Sequence, residues 1–174
     1  MYDVVDSIIY CNNKDMDMHM NTMNCDMWDV YRQYDAICCT TNSVVKRNGA
    51  LVMGAGIAKQ FAHKYPWVSQ YWGTLVKKRK INGNTQPGVI LTILKQKPHL
   101  IYFQTKEHWK DKSNIGLINR SIHLLAGLID TTNLEKILLP KPGCDNGGLN
   151  WETEVLPIIK PVLDKYPEIH IIDR

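Results

Sequence analysis

The chain lacks the two best-known phosphate-binding signatures. A G-x-G-x-x-G run with an acid about 20 residues on is absent, as is G-x-x-x-x-G-K-[ST], which excludes a Rossmann fingerprint and a P-loop. No apolar run approaches the roughly 20 residues of a membrane span, so no membrane role is expected. The six histidines show neither H-E-x-x-H nor H-x-x-x-H spacing and no C-x-x-C occurs, so no metal site is expected. The opening M-Y-D-V-V-D-S-I-I-Y carries acids where a signal peptide carries positive charge, and no small-residue cleavage site follows. Five cysteines (Cys11, Cys25, Cys38, Cys39, Cys144) are an odd number, which reads as reduced thiols. A cytoplasmic protein is the expectation.

At 174 residues the chain fits one domain, large enough to bury a core without disulfides or metal. Its net charge of +4 permits an anionic ligand or nucleic acid without demanding either. Val4 to Tyr10 has strand composition, whereas the polar, Met- and Asn-rich stretch from Asn12 to Asn24 carries no clear periodicity. Asp35 to Thr41 is a continuous apolar run, the pattern of a strand buried on both faces. Ala58 to Lys64 and Trp67 to Lys80 read as helices parted by Tyr65-Pro66. Val89 to Leu94 and Leu100 to Gln104 read as an adjacent strand pair. A long helix follows, capped by Ser113 or Asn114, with Ile115, Ile118, Ile122, Leu125, Leu128 and Ile129 as its apolar stripe. Then come a strand at Lys136 to Pro140, a helix from Trp151 to Lys165 kinked by Pro157 and Pro161, and a strand at Glu168 to Ile172. Alternation of this kind predicts an α/β protein, three-layered, with a mixed and largely parallel central sheet.

The chemistry concentrates in loops that follow strands. In T-N-S-V-V-K-R-N-G-A-L-V-M-G-A-G-I-A-K-Q-F, Gly54 and Gly56 let the backbone approach a ligand, and a helix beginning near Ile57 offers unpaired N–H groups. A plain strand–turn–helix connection reads the same way. Gly143, Gly147 and Gly148 precede another helix start at Trp151. Loops at the carboxyl ends of parallel strands gather on one edge of a sheet, so the two can clamp a diphosphate between them.

Together, T-T-N, G-A-G-I-A and G-C-D-N-G-G-L, in this order, resemble the macrodomain family, whose members bind ADP-ribose. The resemblance runs from about Asp26 to the C-terminus. The stretches I-Y-F-Q-T-K-E-H-W-K-D-K-S and L-P-K-P-G-C-D-N-G-G-L-N-W-E look most like the DarG-like and terminal ADP-ribose protein glycohydrolase-like branches. What the resemblance implies is a hydrolase that removes ADP-ribose from DNA thymidine or protein glutamate by cleavage at C1″ of the distal ribose. An ADP-ribose-1″-phosphate phosphatase and a non-catalytic reader are the alternatives. By the same matching Lys106 is the catalytic lysine; Asn42 and Asp145 are further candidates, Asp145 without an assigned counterpart in either branch. The implied ADP-ribose contacts are Asp26 at the adenine, Asn42 at the distal ribose, Gly54, Ala55, Gly56, Ile57 and Ala58 at the diphosphate, and Met27 and Met53 beside them. Thr105 and the run Pro142, Gly143, Cys144, Asp145, Asn146, Gly147, Gly148 and Leu149 complete the set.

Two departures stand out. Cys25 replaces a usual glycine before Asp26, and Gly147 occupies the place where the glycohydrolase branch has its resolving aspartate. The DarG-like branch has glycine there. Each residue also has a plainer reading: Asp26 as a helix N-cap, Asn42 as an Asx-turn, Cys144 as an inert thiol, Trp109 and Trp151 as packing groups, His108 as exposed and structural. Lys46, Arg47, Lys106, Lys110 and Lys112 would suit a phosphate backbone at the site edge, and they would suit water too. The expected partner is ADP-ribose or an ADP-ribosylated substrate, with single-stranded DNA among the candidates. No cofactor is expected, and the acting species is expected to be a monomer, a stand-alone macrodomain of a phage or bacterium.

Overall fold

The structure, a computed structural model, describes residues 16–17, 22–81 and 88–173. The strand expected at Val4 to Tyr10 lies outside the described residues. Seven strands form one sheet: β1 (Met16–Asp17), β2 (Thr22–Met23), β3 (Ala36–Thr41), β4 (Val89–Thr92), β5 (His99–Gln104), β6 (Ile137–Pro140) and β7 (Ile169–Ile172). Their spatial order is β1-β2-β7-β6-β3-β5-β4. The five central strands run parallel, and β1 and β4 close the edges antiparallel.

Strand β3 shows why a continuous apolar run was needed. Successive side chains point to opposite faces, and here both faces are covered. Ala36 and Cys38 enter one core with Ile101, Phe103 and Leu139, whereas Ile37 and Cys39 enter the other with Leu100, Tyr102 and Leu138. The first core is closed by α4 (Ile115–Asp130) and α5 (Leu156–Leu163), the second by α1 (Met27–Val30), α2 (Gly56–Lys64) and α3 (Val68–Ile81). Phe61 of α2 and Trp72 of α3 are fully buried there, and the Trp72 indole N–H donates to Thr92 Oγ1 at 2.9 Å.

Of the two candidate caps, Asn114 is the one used: its side chain accepts from the Leu117 N–H at 3.1 Å. The expected break in the last helix falls earlier than its prolines. Trp151–Val155 winds as a π-turn capped by Asn150, and α5 starts only at Leu156. Pro161, inside α5, has no N–H to give the carbonyl four residues back.

The sheet parts where the site lies. Strands β3 and β6 pair only at Ala36↔Ile137 and Ile37↔Leu138, although β3 continues to Thr41 and β6 to Pro140. Pro140 has no donor with which to extend the ladder. Chain order also reverses here, because β4 and β5 lie on one side of β3 and β6 and β7 on the other. A crevice at the carboxyl ends of strands, at such a switch point, is where ligands bind in open α/β sheets.

Candidate active site

The crevice opens into a cleft of about 850 Å³. Thr40 and Thr41 of β3 and Pro140 of β6 line its base. Its length runs from the end of β7, at Ile172 and Asp173, to the end of β5, at Thr105 and Lys106. That is three strand spacings, about 14 Å, enough for an elongated ligand.

The two long walls are the glycine loops. Gly54 to Ala58 form one, and no N–H of these five residues donates to a protein acceptor among the described residues. The first intrahelical bond of α2 is Lys59 N–H to Ala55 C=O. Opposite stand Gly143, Cys144, Asp145, Asn146 and Gly147, and the N–H groups of 145 to 147 are likewise without protein acceptors. Two rows of free donors, one at the positive end of a helix, face a shared space. Such an arrangement suits a diphosphate.

Lys106 occupies the β5 end and is 9 % exposed. Its Nζ donates to the carbonyls of Asp111 at 2.8 Å and Asn146 at 3.1 Å, bolting its own loop to the second glycine wall. Burial pulls its pKa below the ordinary lysine value, partly offset by the Asp111 carboxylate. A lysine ammonium has three N–H groups, so the charged form keeps one for a ligand.

At the opposite end Asp26 is both cleft lining and helix cap, its Oδ1 accepting from Trp28 N–H at 2.8 Å. Asn42 is also doubly engaged. Its Oδ1 accepts from Val44 N–H at 2.9 Å, the Asx-turn anticipated from sequence, and its Nδ2 donates to Val52 C=O at 2.8 Å. It therefore sets the path of the 43–52 loop while lining the cleft.

Five of the expected contacts, Met27, Met53, Pro142, Gly148 and Leu149, lie outside the cleft lining. Met27 and Met53 belong to the α1/α2/α3 core, because the strand-to-helix geometry turns their apolar side chains inward; Val52 and Gly54 line the cleft on either side of Met53. Leu149 packs into the α4/α5 core, Pro142 is buried behind Lys141 and Gly143, and Gly148 is exposed outside the lining with φ +69°. Asp145 stands exposed on the wall, its Oδ2 accepting from Asn146 Nδ2 at 3.4 Å. Burial pushes the Cys144 thiol up to about 11, in keeping with an inert thiol.

Trp151 packs in the core as expected, but Trp109 does not: it is 48 % exposed and lines the cleft beside Lys106. Ser113 and Thr41 were not anticipated as site residues. Their Oγ and Oγ1 are two of the three buried side-chain polar atoms without a partner among the described residues, and both residues line the cleft. Gln60, Lys141, Ile172 and Asp173 were also missed, since only tertiary structure brings them here.

The sheet order and its helical layers give this chain the macrodomain fold. Among macrodomains it is similar to those of DarG. It is 31% identical over 123 residues to the DNA ADP-ribosyl glycohydrolase of Mycobacterium tuberculosis, a match covering 70% of this chain and 35% of that protein. The solved macrodomain of Mycobacterium tuberculosis DarG superposes with a TM-score of 0.63 at 29% identity, over 81% of this chain and 90% of the other. Thermosipho africanus DarTG in complex with ADP-ribose superposes with a TM-score of 0.69 over 88% of this chain and 42% of the other, and at 21% identity that likeness concerns the fold. The match spans about a third of the length of these curated relatives. No family model matches the sequence. Among the described residues no helix is long and apolar enough to cross a membrane, and no cluster of three potential metal ligands occurs.

Proposed function

We propose that this macrodomain binds ADP-ribose along the cleft and, acting as a single copy, releases it from ADP-ribosylated DNA by cleavage at C1″ of the distal ribose. The observation that carries the reading is Lys106: a buried ammonium at one end of a cleft whose walls are rows of free N–H groups. The diphosphate lies between the glycine walls, the adenine reaches toward Asp26, and the distal ribose comes to Lys106. The relatives named DNA ADP-ribosyl glycohydrolase support the substrate class.

The bond to be broken joins C1″ to a base nitrogen, and its transition state carries oxocarbenium character. Water adds to C1″ as the C1″–N bond breaks. The free N–H of Lys106 gives its proton to the departing base, and the amine is re-protonated from solvent. Asp145, the carboxylate on the 143–147 wall, takes the proton that the water loses. A covalent lysine adduct is disfavoured because the wall has no acid at 147 to resolve it. A side chain there is sterically barred: a Cβ on Gly147 would lie 2.2 Å from the Gly143 carbonyl oxygen.

A substrate panel tests the reading. The expected result is release of ADP-ribose from thymidine-modified single-stranded DNA, with no phosphate released from ADP-ribose-1″-phosphate. Tight ADP-ribose binding with no turnover on DNA, glutamate-ester or phosphate substrates would leave a reader in its place.

A further inference from the structure

From Ala36 to Lys106 the chain carries eleven lysines and arginines and no aspartate or glutamate. The whole chain is only +4, so the remaining residues are net acidic. This stretch builds β3, α2, α3, β4 and β5, one half of the sheet together with most of one helical layer. Charge is therefore segregated in space as well as in sequence.

Part of that charge sits beside the cleft. The 43–52 loop, bearing the exposed Lys46 and Arg47, lies directly on α3: Leu51 N–H donates to Ser69 C=O at 2.8 Å, and a Cβ on Gly73 would lie 2.1 Å from the Gly49 carbonyl oxygen. Gly73, Lys77 and Lys80 follow at helical spacing on the same face of α3. Lys80 Nζ donates to Ser43 C=O at 2.7 Å, and Ser43 donates through its N–H and Oγ to Glu107 C=O at 3.1 and 3.2 Å. The basic face thus abuts the loop that carries Lys106 and Trp109. Trp109 presents an exposed ring at the cleft beside this junction.

Positive charge that tracks a backbone, interleaved with an exposed aromatic, is the recognition chemistry of single-stranded nucleic acid. We propose that this basic face is a docking track for the single-stranded DNA flanking the modified nucleotide. Phosphates lie over Lys46, Arg47 and Lys77, and a neighbouring base stacks on Trp109. The proposal rests on the DNA reading for its substrate, but its test uses unmodified DNA and needs no turnover.

The test is fluorescence anisotropy of a labelled, unmodified single-stranded oligonucleotide across a salt series. Lys46→Glu/Arg47→Glu/Lys77→Glu should weaken binding at least about tenfold and lower the log–log salt slope by about 2, at about 0.7 per lost phosphate contact. ADP-ribose affinity, measured by calorimetry, should stay at the wild-type level. Lys95→Glu makes the same kind of charge reversal in the β4–β5 connection, at the other end of β3 and β5 from the cleft, and should leave affinity within about twofold. Trp109→Ala should weaken single strands and leave duplex binding unchanged. Should the charge-reversal variant fold poorly, Lys46→Gln/Lys77→Gln gives the same readout with a smaller change in slope. A triple variant that binds like wild type, or a Lys95→Glu loss equal to it, overturns the track. Absence of turnover on modified DNA with these binding differences intact would overturn the glycohydrolase reading alone.

Discussion

The two walls carry two glycines each, and for different reasons. In the first, a Cβ added to Gly54 would meet nothing within 4 Å, whereas Gly56 has φ +52° and a Cβ on it would lie 2.6 Å from Asn146 Nδ2 and 3.9 Å from Asp145 Oδ2, both side-chain ends. In the second, Gly143 has φ +80° and is hemmed in by Ile118, Leu149 and Ser113, while a Cβ on Gly147 would lie 2.2 Å from the Gly143 carbonyl oxygen and 2.3 Å from Ser113 Oγ. The protein's own packing demands glycine in the second wall and leaves Gly54 free. What the first wall leaves open is room for something that is not protein.

Substitutions separate the two causes. Gly147→Ala should have the largest effect on folding, about 3 kcal/mol of lost stability in chemical denaturation, because a backbone carbonyl cannot swing aside as a side chain can. Gly54→Ala should change stability by less than about 0.5 kcal/mol, yet weaken ADP-ribose binding about tenfold, or about 1.4 kcal/mol, in calorimetry. If Gly54→Ala destabilised the fold as much as Gly147→Ala, or bound ADP-ribose normally, the contrast between the walls would be gone.

A smaller and more graded effect concerns the bolt between the Lys106 loop and the second wall. Because its folded pKa lies below the ordinary lysine value of 10.5, Lys106 binds a proton less readily in the folded chain than in the unfolded one. Its charging cost is present at pH values below the folded pKa and is relieved as pH rises from there toward the unfolded value. Activity should run the other way. With the ammonium as acid, single-turnover rates should be flat through neutral pH and fall as pH rises through the folded pKa, below 10.5. A rate that climbed over that interval would assign the neutral amine as nucleophile instead.

Much of this arrangement was legible from residues alone because local rules agreed with the fold. The apolar run at Ala36–Thr41 is buried on both faces, and the helical spacing of Ile118, Ile122, Leu125 and Ile129 marks the buried side of α4. The glycine loops and Lys106 were likewise readable from motif order, and the structure brings them to one cleft. What escaped depends on tertiary contacts. Met27 and Met53 neighbour cleft residues in sequence, but local backbone direction sends their side chains into the core. Ser113 looks like a helix cap until its hydroxyl is found buried without a partner beneath Gly147. Trp109 reads as a packing group by residue type, and only its exposure at the cleft gives it another use. The π-turn at Trp151–Val155 has no sequence marker of its own; Pro157 and Pro161 lie further along the chain, in α5.

Lys106 is put to the test by single-turnover release of ADP-ribose from thymidine-modified single-stranded DNA by wild type and Lys106→Ala, with ADP-ribose affinity measured on the same preparations. Loss of a positioned acid predicts a rate lower by about a hundredfold or more, with affinity nearly unchanged. A Lys106→Ala protein that binds ADP-ribose and still releases it from DNA at the wild-type rate would contradict the account.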